Sequence, residues 1–346
     1  MILRNLTEPS VVTIIVNFNM CSLVERCVTS LKQPPGGAFR HHVVVWENGS
    51  DRSIFGRPLE SEWQVDGSSI WYTGGGRNLG YARGVTSAYT KWRQHNGLRP
   101  IAVHCANPDT VSEPGGLTDL VKAVLDNGWG AAAPLMTNAD GESRPAAYPV
   151  LTPTHVVAHF LRLRWFSRFG GRLPLGAPPR EVATVDGAYV VFRHEAWEEA
   201  GGLDPYFGIS SDDHDVCARL RALGWKIAVV PTIRVSHHGA AGRSFRPLLS
   251  RLDEIQGSIR YVSKHYPRSL HLVRLGISAF VRLNGGPFAG ELSWWARKAP
   301  VEIEAATPGI EENFRRCLVR STNRNSIALA SALSAELSSS SSIPRS

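Results

Sequence analysis

Along the first half of the chain, two hydrophobic periods alternate. Short runs of β-branched and aliphatic residues end abruptly in polar ones, and between them lie stretches with apolar residues three and four apart. VVTIIVNFN reads as a buried strand, and CSLVERCVTSLKQ as a helix presenting Leu23, Val24, Cys27, Val28 and Leu31. PPGG stops that helix. HHVVVWENGS predicts a second strand, SSIWYT a third, and GVTSAYTKWRQH the following helix. IAVHCANPDT predicts a fourth strand, GLTDLVKAVLD a helix and GWGAAAP a short strand. The alternation predicts an α/β fold: a mostly parallel twisted sheet flanked by helices. Ligands bind such sheets at the carboxyl ends of the strands. Asn17, Asn19, Glu47, Asn48 and Asp109 all fall just past predicted strand ends, so one rim collects them.

From residue 137 to about 180 the pattern is irregular and rich in Pro, Gly and Arg, with one helix-like stretch, HVVAHFLRLRWFSRF. EVATVDGAYVVF reads as a strand and HEAWEEAGG as a short helix. A helix from the acidic run SSDDHDVC to Leu223 follows, with Ser210 or Ser211 as its N-cap, then the strand KIAVVP and HHG. Beyond Ser244 the periods are helical, in RPLLSRLDEIQGSIRYVSKHY and RSLHLVRLGISAFVRL. The terminal LSSSSSIPRS buries too little apolar surface to order itself. These shifts divide the chain into an α/β unit over 1–243, with halves 1–136 and 137–243, a helical extension over 244–320 and an unstructured tail over 321–346.

Composition narrows the partners. No apolar run approaches the ~20 residues that a membrane-spanning helix needs. The opening MILRNLTEPSVVTIIVNFN has a short run broken by Thr13 and no small-residue cleavage site, so it reads as a strand and not as a signal peptide. Five widely spaced cysteines without a CxxC pair suggest reduced thiols and a cytoplasmic location. The net charge of +8 is dispersed, aromatics make up 9%, and no nucleic-acid-binding module is recognisable, so no nucleic-acid partner is expected. A polyanionic small molecule or an anionic membrane surface meets the charge equally well. Arg274 and Arg282, set in an apolar helix, suit peripheral contact with such a surface, while the same helix suits a packed appendage or a homodimer contact.

Two stretches carry candidate chemistry. YTGGGRNLGYARG has glycines at 74, 76 and 80, yet it follows the third strand, and no ribose-binding acid ends a strand about 20 residues on, which argues against a dinucleotide fingerprint. Its glycines still permit close approach to a diphosphate, with Arg77 and Arg83 adding charge. SSDDHDVC holds three aspartates and a histidine in four positions, which suits either a catalytic carboxylate or the acidic first turn of a helix. On a helix, Asp212 and Asp215 share a face and Asp213 points elsewhere.

In chain order, VVTIIVNFN, WENGSD, RNLGYARG with ANPDT, and GGLDPYFGISSDDHDVCARLRALGW with VSHHG resemble the inverting nucleotide-sugar glycosyltransferases of family 2. The closest match of the motifs is to the rhamnosyltransferase-like branch, and they span about Val11 to Gly242. The resemblance implies a GT-A fold, with a nucleotide-sugar-binding half over 1–136 and an acceptor half over 137–243. It implies a dTDP-L-rhamnose or UDP-sugar donor and a sugar, lipid-linked or small-molecule acceptor. Glu47 then binds the donor base and Asn78 the nucleotide, in a donor site with Asn17, Asn19, Asn48, Arg77, Arg83 and Asp109. Asp109 and His237 hold Mg2+ or Mn2+, with His238 as the neighbour at one register step, and Asn107 stands where the family's metal motif has its first acid. Asp213 is the general base with Asp212 beside it, Asp215 is structural, and Gly187 and Ala188 line the acceptor side. A degenerate member that binds a nucleotide sugar or a partner without turnover is the competing expectation.

Overall fold

The computed structural model describes residues 9–31, 38–50, 53–138, 140–161, 171–237, 247–284, 288–299, 310–319 and 324–339. The first half runs β1 (Ser10–Asn17), α1 (Cys21–Ser30), β2 (Arg40–Glu47), β3 (Ser61–Val65), β4 (Ser68–Gly74), α2 (Tyr81–Asn96), β5 (Ala102–Ala106), β6 (Thr110–Ser112), α3 (Gly116–Asp126) and β7 (Ala131–Thr137). Then follow β8 (Ala147–Tyr148), α4 (Pro153–Phe160), β9 (Arg180–Val182), β10 (Thr184–Val185), β11 (Tyr189–Arg193), α5 (His194–Ala200), α6 (Asp212–Ala222) and β12 (Ile227–His237). The extension contains α7 (Pro247–His265), α8 (Leu270–Asn284), α9 (Ala289–Lys298), α10 (Ile310–Val319) and α11 (Arg324–Ser339).

The main sheet has the order β3-β4-β2-β1-β5-β11-β7-β12-β6, with β9 paired to β12. As expected, it is an α/β sheet flanked by helices. Its parallel core is β4-β2-β1-β5, whereas β11 enters antiparallel between β5 and β7, and β6 runs antiparallel to β12. The sheet is therefore more mixed than the strand–helix alternation predicts. Strand direction depends on where the chain re-enters the sheet, which hydrophobic period does not encode. EVATVDGAYVVF is not one strand but three short ones, interrupted at Asp186–Gly187–Ala188.

Alternation along β1 fills both faces. Val12, Ile14 and Val16 join a cluster with Ala82, Val85, Ala88 and Trp92 of α2, while Val11 and Ile15 join Val24, Cys27 and Val28 of α1 and Leu117, Leu120 and Val121 of α3. Thr13, fully buried in β1, is satisfied across strands: its hydroxyl lies 2.7 Å from His41 Nε2 and 2.9 Å from His104 Nδ1. The ring of His41 then reaches Ser68 at 2.8 Å.

The extension shares the core. Leu252, Ile255 and Ile259 of α7, Ile277 of α8 and Trp295 of α9 belong to the same cluster as α2 and the sheet. Gly276 meets α4 closely, since a Cβ there would lie 3.0 Å from both methyls of Val157. Arg274 is turned inward, donating to the carbonyls of Ala296 and Ala299 at 3.2 and 2.7 Å, so it does not offer the outward charge expected for a surface contact. Residues 324–339 form a helix where an unstructured tail is expected, because Leu329 and Leu333 find burial against the other helices. The latter part of the predicted helix beyond Leu161 lies outside the described residues. Among the described residues no helix is long and apolar enough to cross a membrane.

Candidate active site

The donor-side rim is built by the ends of β1, β2 and β4. Glu47 is buried at the end of β2, and its Oε2 accepts from Asn17 Nδ2 at 2.7 Å and from the Tyr72 hydroxyl at 2.9 Å. Its Oε1 accepts from the amide of Ser50 at 2.5 Å. Asn17 therefore orients Glu47 and also donates to the Ser50 hydroxyl at 2.9 Å, which in turn accepts from the amide of Asn19, a residue in the left-handed region with φ 57°. A carboxylate offers about four lone-pair directions, so these three donors leave Glu47 room for one more. Burial and the charge of Glu47 raise the Tyr72 hydroxyl far above its ordinary value, which keeps it a donor. Gly74 must be glycine: a Cβ there would lie 2.3 Å from the Glu47 carbonyl.

Asn48 secures the glycine-rich turn. Its Oδ1 accepts from the amide of Leu79 at 2.8 Å, and its Nδ2 donates to Asn78 Oδ1 at 3.0 Å and to the Gly80 carbonyl at 3.2 Å. The side chains of Asn17, Asn48 and Asn78 are thus spent on building the site. Arg77 is exposed on the turn. Arg83, in the first turn of α2, lines a recess with Leu79, Tyr206 and Phe207.

Asp109 lies between β5 and β6. Because β6 crosses to pair with β12, Thr110 faces His237 in register, and this brings Asp109 to the same point. His237 Nε2 lies 3.2 Å from Asp109 Oδ1, and both residues are buried. Arg144 NH1 lies 2.8 Å from His237 Nδ1. A guanidinium only donates, so Nδ1 accepts and Nε2 carries the proton toward Asp109. His238 lies outside the described residues. Among the described residues no group of three or more His, Cys, Asp or Glu side chains is arranged to hold a metal. The Asp109 carboxylate fits Mg2+ or Mn2+ shared with diphosphate oxygens, because such ions often take one or two carboxylates plus phosphate. His237 fits as a further ligand once Arg144 gives up Nδ1 and the proton moves there.

The acidic run opens α6, and Ser211 occupies the N-cap position in the left-handed region, φ 71°. Its side chain makes no capping bond, contrary to the expected role, because that backbone geometry differs from the extended one a serine cap uses. Asp212 is buried in a largely apolar recess with Tyr81, Cys105, Val190, Phe192 and Val216, about large enough for one water molecule. Burial, then the charge of Asp213, raises its carboxyl well above the usual range. Asp213 is half-buried and faces the break between β10 and β11, where its Oδ2 accepts from the amide of Gly187 at 3.3 Å. A Cβ on Gly187 would lie 2.9 Å from Asp213 Cβ, so glycine is what lets the two segments meet. The carbonyl of Ala188 accepts from the amide of Asn107 at 2.7 Å, which ties this break to the Asp109 loop. Asp215 points inward, accepting from Arg219 Nε, Lys264 Nζ and His265 Nε2, each at 2.8 Å. Burial alone would raise it, but those cations and hydrogen bonds hold it at about 2.

Two residues escape the sequence reading. Asp186 accepts from the amide of Ala188 at 2.9 Å, and burial followed by the charge of Asp213 raises its carboxyl, while that amide and the charge of Arg144 pull the other way. Arg144 comes from the irregular region that offered no signal. For Asp186, the acid before a glycine that interrupts a strand pattern was the available clue.

A family model described as "Glycosyltransferase like family 2" matches residues 9–251. No curated protein matches the chain. Among solved structures, GalNAc-T7 with UDP, GalNAc and Mn2+ is similar at 16% identity over 77% of this chain, with a TM-score of 0.49, and this chain spans only 50% of that one. TarS 1-349 of S. aureus aligns at 12% identity over 97% of this chain and 93% of that one, with a TM-score of 0.46. The mannosyltransferase PcManGT from Pyrobaculum calidifontis, in complex with GDP-Man and Mn2+, aligns at 16% identity over 96% and 85%, with a TM-score of 0.47.

Proposed function

Because the chain belongs to the glycosyltransferase-like family 2, we propose that it transfers a sugar from a nucleoside-diphosphate sugar to an acceptor hydroxyl, with inversion at the anomeric carbon. The observation that carries this reading is the placement of Asp213. Its carboxylate is half-buried at the start of α6, against Gly187, and the carbonyl of the adjoining Ala188 accepts from the amide of Asn107 in the loop that carries Asp109. This hydrogen bond supports reading Asp213 as a base near the candidate diphosphate site. Asp213 takes the proton from the acceptor hydroxyl, the oxygen bonds to the anomeric carbon, and the bond to the diphosphate oxygen breaks with its electron pair. Proton removal of this kind is worth about 10²–10⁴-fold. Asp212, buried and held toward its neutral form, keeps a second negative charge away from the base.

On the donor side, Glu47 is oriented to accept an imide N–H from a uracil or thymine ring, which favours a UDP-sugar or dTDP-L-rhamnose. Asp109, with His237, would hold Mg2+ or Mn2+, which when bound would offset charge on the leaving diphosphate. Arg144 adds a permanent cation beside them. A lipid-linked acceptor at a membrane surface is supported by α8, whose Leu272, Leu275 and Leu283 are 69%, 45% and 82% exposed near the charged Arg282.

Asp213→Asn tests the reading. The variant is expected to melt like the parent, to bind donor, and to lose about 10²–10⁴-fold in transfer rate. Substantial retained transfer, followed as release of nucleoside diphosphate in the presence of acceptor, would sink the assignment. Failure of the parent to be thermally stabilised by any nucleotide sugar, with or without Mn2+, would count against the donor class.

A further inference from the structure

The glycine-rich turn is held from the C-terminal side of the chain as well as by Asn48. Asn78 Nδ2 donates to Glu311 Oε1 at 2.7 Å, and the amide of Ile310 donates to the Asn78 carbonyl at 2.7 Å. These two residues open α10. An N–H at a helix start has no partner within the helix, and here the turn supplies one. On its other side, Asn78 Oδ1 accepts from Asn48 Nδ2 and from the amide of Gly80, both at 3.0 Å. A carboxylate on Nδ2 therefore fixes which way the amide faces.

A second contact, independent of those hydrogen bonds, comes from packing. Ile310 is buried in a recess walled by Leu79, Arg83, Tyr206, Phe207 and Gly208. A Cβ on Gly208 would lie 2.7 Å from Ile310 Cδ1 and 1.9 Å from Asp253 Oδ1. The Gly208 carbonyl accepts from the amide of Tyr81 at 2.7 Å, where α2 begins. Ile310 thus touches both the turn and the loop that leads into Asp212 and Asp213.

We infer that Ile310 and Glu311 form a clamp that sets the glycine-rich turn for nucleoside-diphosphate binding, with Glu311 as a positioning residue. The inference rests on the proposed nucleotide-sugar reading, which puts that turn at the donor. A turn so rich in glycine loses much backbone freedom when it orders. Ordering it in advance through α10 removes that cost from donor binding. The clamp acts on affinity for the donor and not on the proton transfer at Asp213.

The test uses the full chain and the variants Glu311→Ala and Glu311→Gln. Affinity for UDP and TDP is measured by calorimetry, donor KM and kcat by steady-state kinetics, and amide exchange by mass spectrometry over residues 74–80. The clamp predicts that Glu311→Ala weakens nucleotide affinity and raises donor KM about tenfold, the loss expected for a hydrogen bond to a charged group. It also predicts faster exchange in the turn, with kcat changed less than about twofold. Glu311→Gln keeps an acceptor oxygen and should recover most of the affinity. Parent-like affinity and exchange in Glu311→Ala would show α10 to be a mere appendage, and tighter binding would show Glu311 to obstruct the site; either overturns the clamp. If the parent binds neither nucleotide, the donor reading falls with it, an outcome separable from the others because the parent itself is silent.

Discussion

Asp213 and Asp212 are adjacent in sequence and line one recess, yet they differ in burial. The first is half-buried and accepts from a backbone amide, and the second is buried. Burial and a neighbouring charge push Asp212 toward the neutral form, which suits the proposal that Asp213 and not Asp212 is the base. Gly187 sets the distance between Asp213 and the break between β10 and β11. In Gly187→Ala the new methyl would lie 2.9 Å from Asp213 Cβ, against the rigid stem of that side chain. One of the two segments must move. Transfer should fall by roughly 10²-fold, the cost of a displacement on the order of 1 Å at a reacting group. Thermal unfolding should reveal a smaller penalty of about 1–3 kcal/mol, as for other overpacked positions. Equal rates for parent and variant would mean that Asp213 does not depend on this contact.

At the scale of elements, α6 is aimed by the helix it packs against. Asp215 joins it to Lys264 and His265 at the end of α7, and also accepts from Arg219 one turn on. Its folded pKa, about 2, lies below the unfolded value of about 3.9. The stability it contributes is therefore fully present above the unfolded value and lost as pH falls through about 2. The shift corresponds to roughly 2–3 kcal/mol at neutral pH. Asp215→Asn should lose about that much in urea unfolding at pH 7, and the gap between variant and parent should narrow below pH ~4. A gap independent of pH would mean that the latch acts through packing and not through charge. Since α6 carries Asp213, the same variant should also lower the transfer rate.

For the whole molecule, the α/β unit and the helical extension share one apolar cluster. The family match stops at residue 251, within α7, and just beyond it Leu252, Ile255, Ile259 and Val262 are buried against the rest of that cluster. Fully burying each such side chain is worth about 1.5–3 kcal/mol. Four of them together are comparable with the roughly 5–15 kcal/mol that holds a domain folded. A chain ending at residue 251 should therefore lack a cooperative thermal transition and a near-ultraviolet dichroism signal. A sharp transition like that of the full chain would show the extension to be dispensable.

Hydrophobic period alone determined the α/β class, the strands β1, β2, β4, β5 and β7 and the helices between them, because burial on a sheet or along one helix face leaves a local repeat. Polar residues at strand ends likewise marked Glu47 and Asp109, and motif order marked Asp213 and His237. Tertiary structure alone decided what those residues meet. The antiparallel entry of β11 brings Asp186 to the rim, and the crossing of β6 to β12 joins Asp109 to His237. Arg144 arrives from the irregular stretch and Glu311 from the helical extension, 93 residues from His237 and 233 from Asn78. Such contacts depend on how distant segments pack, and a local repeat carries no record of that.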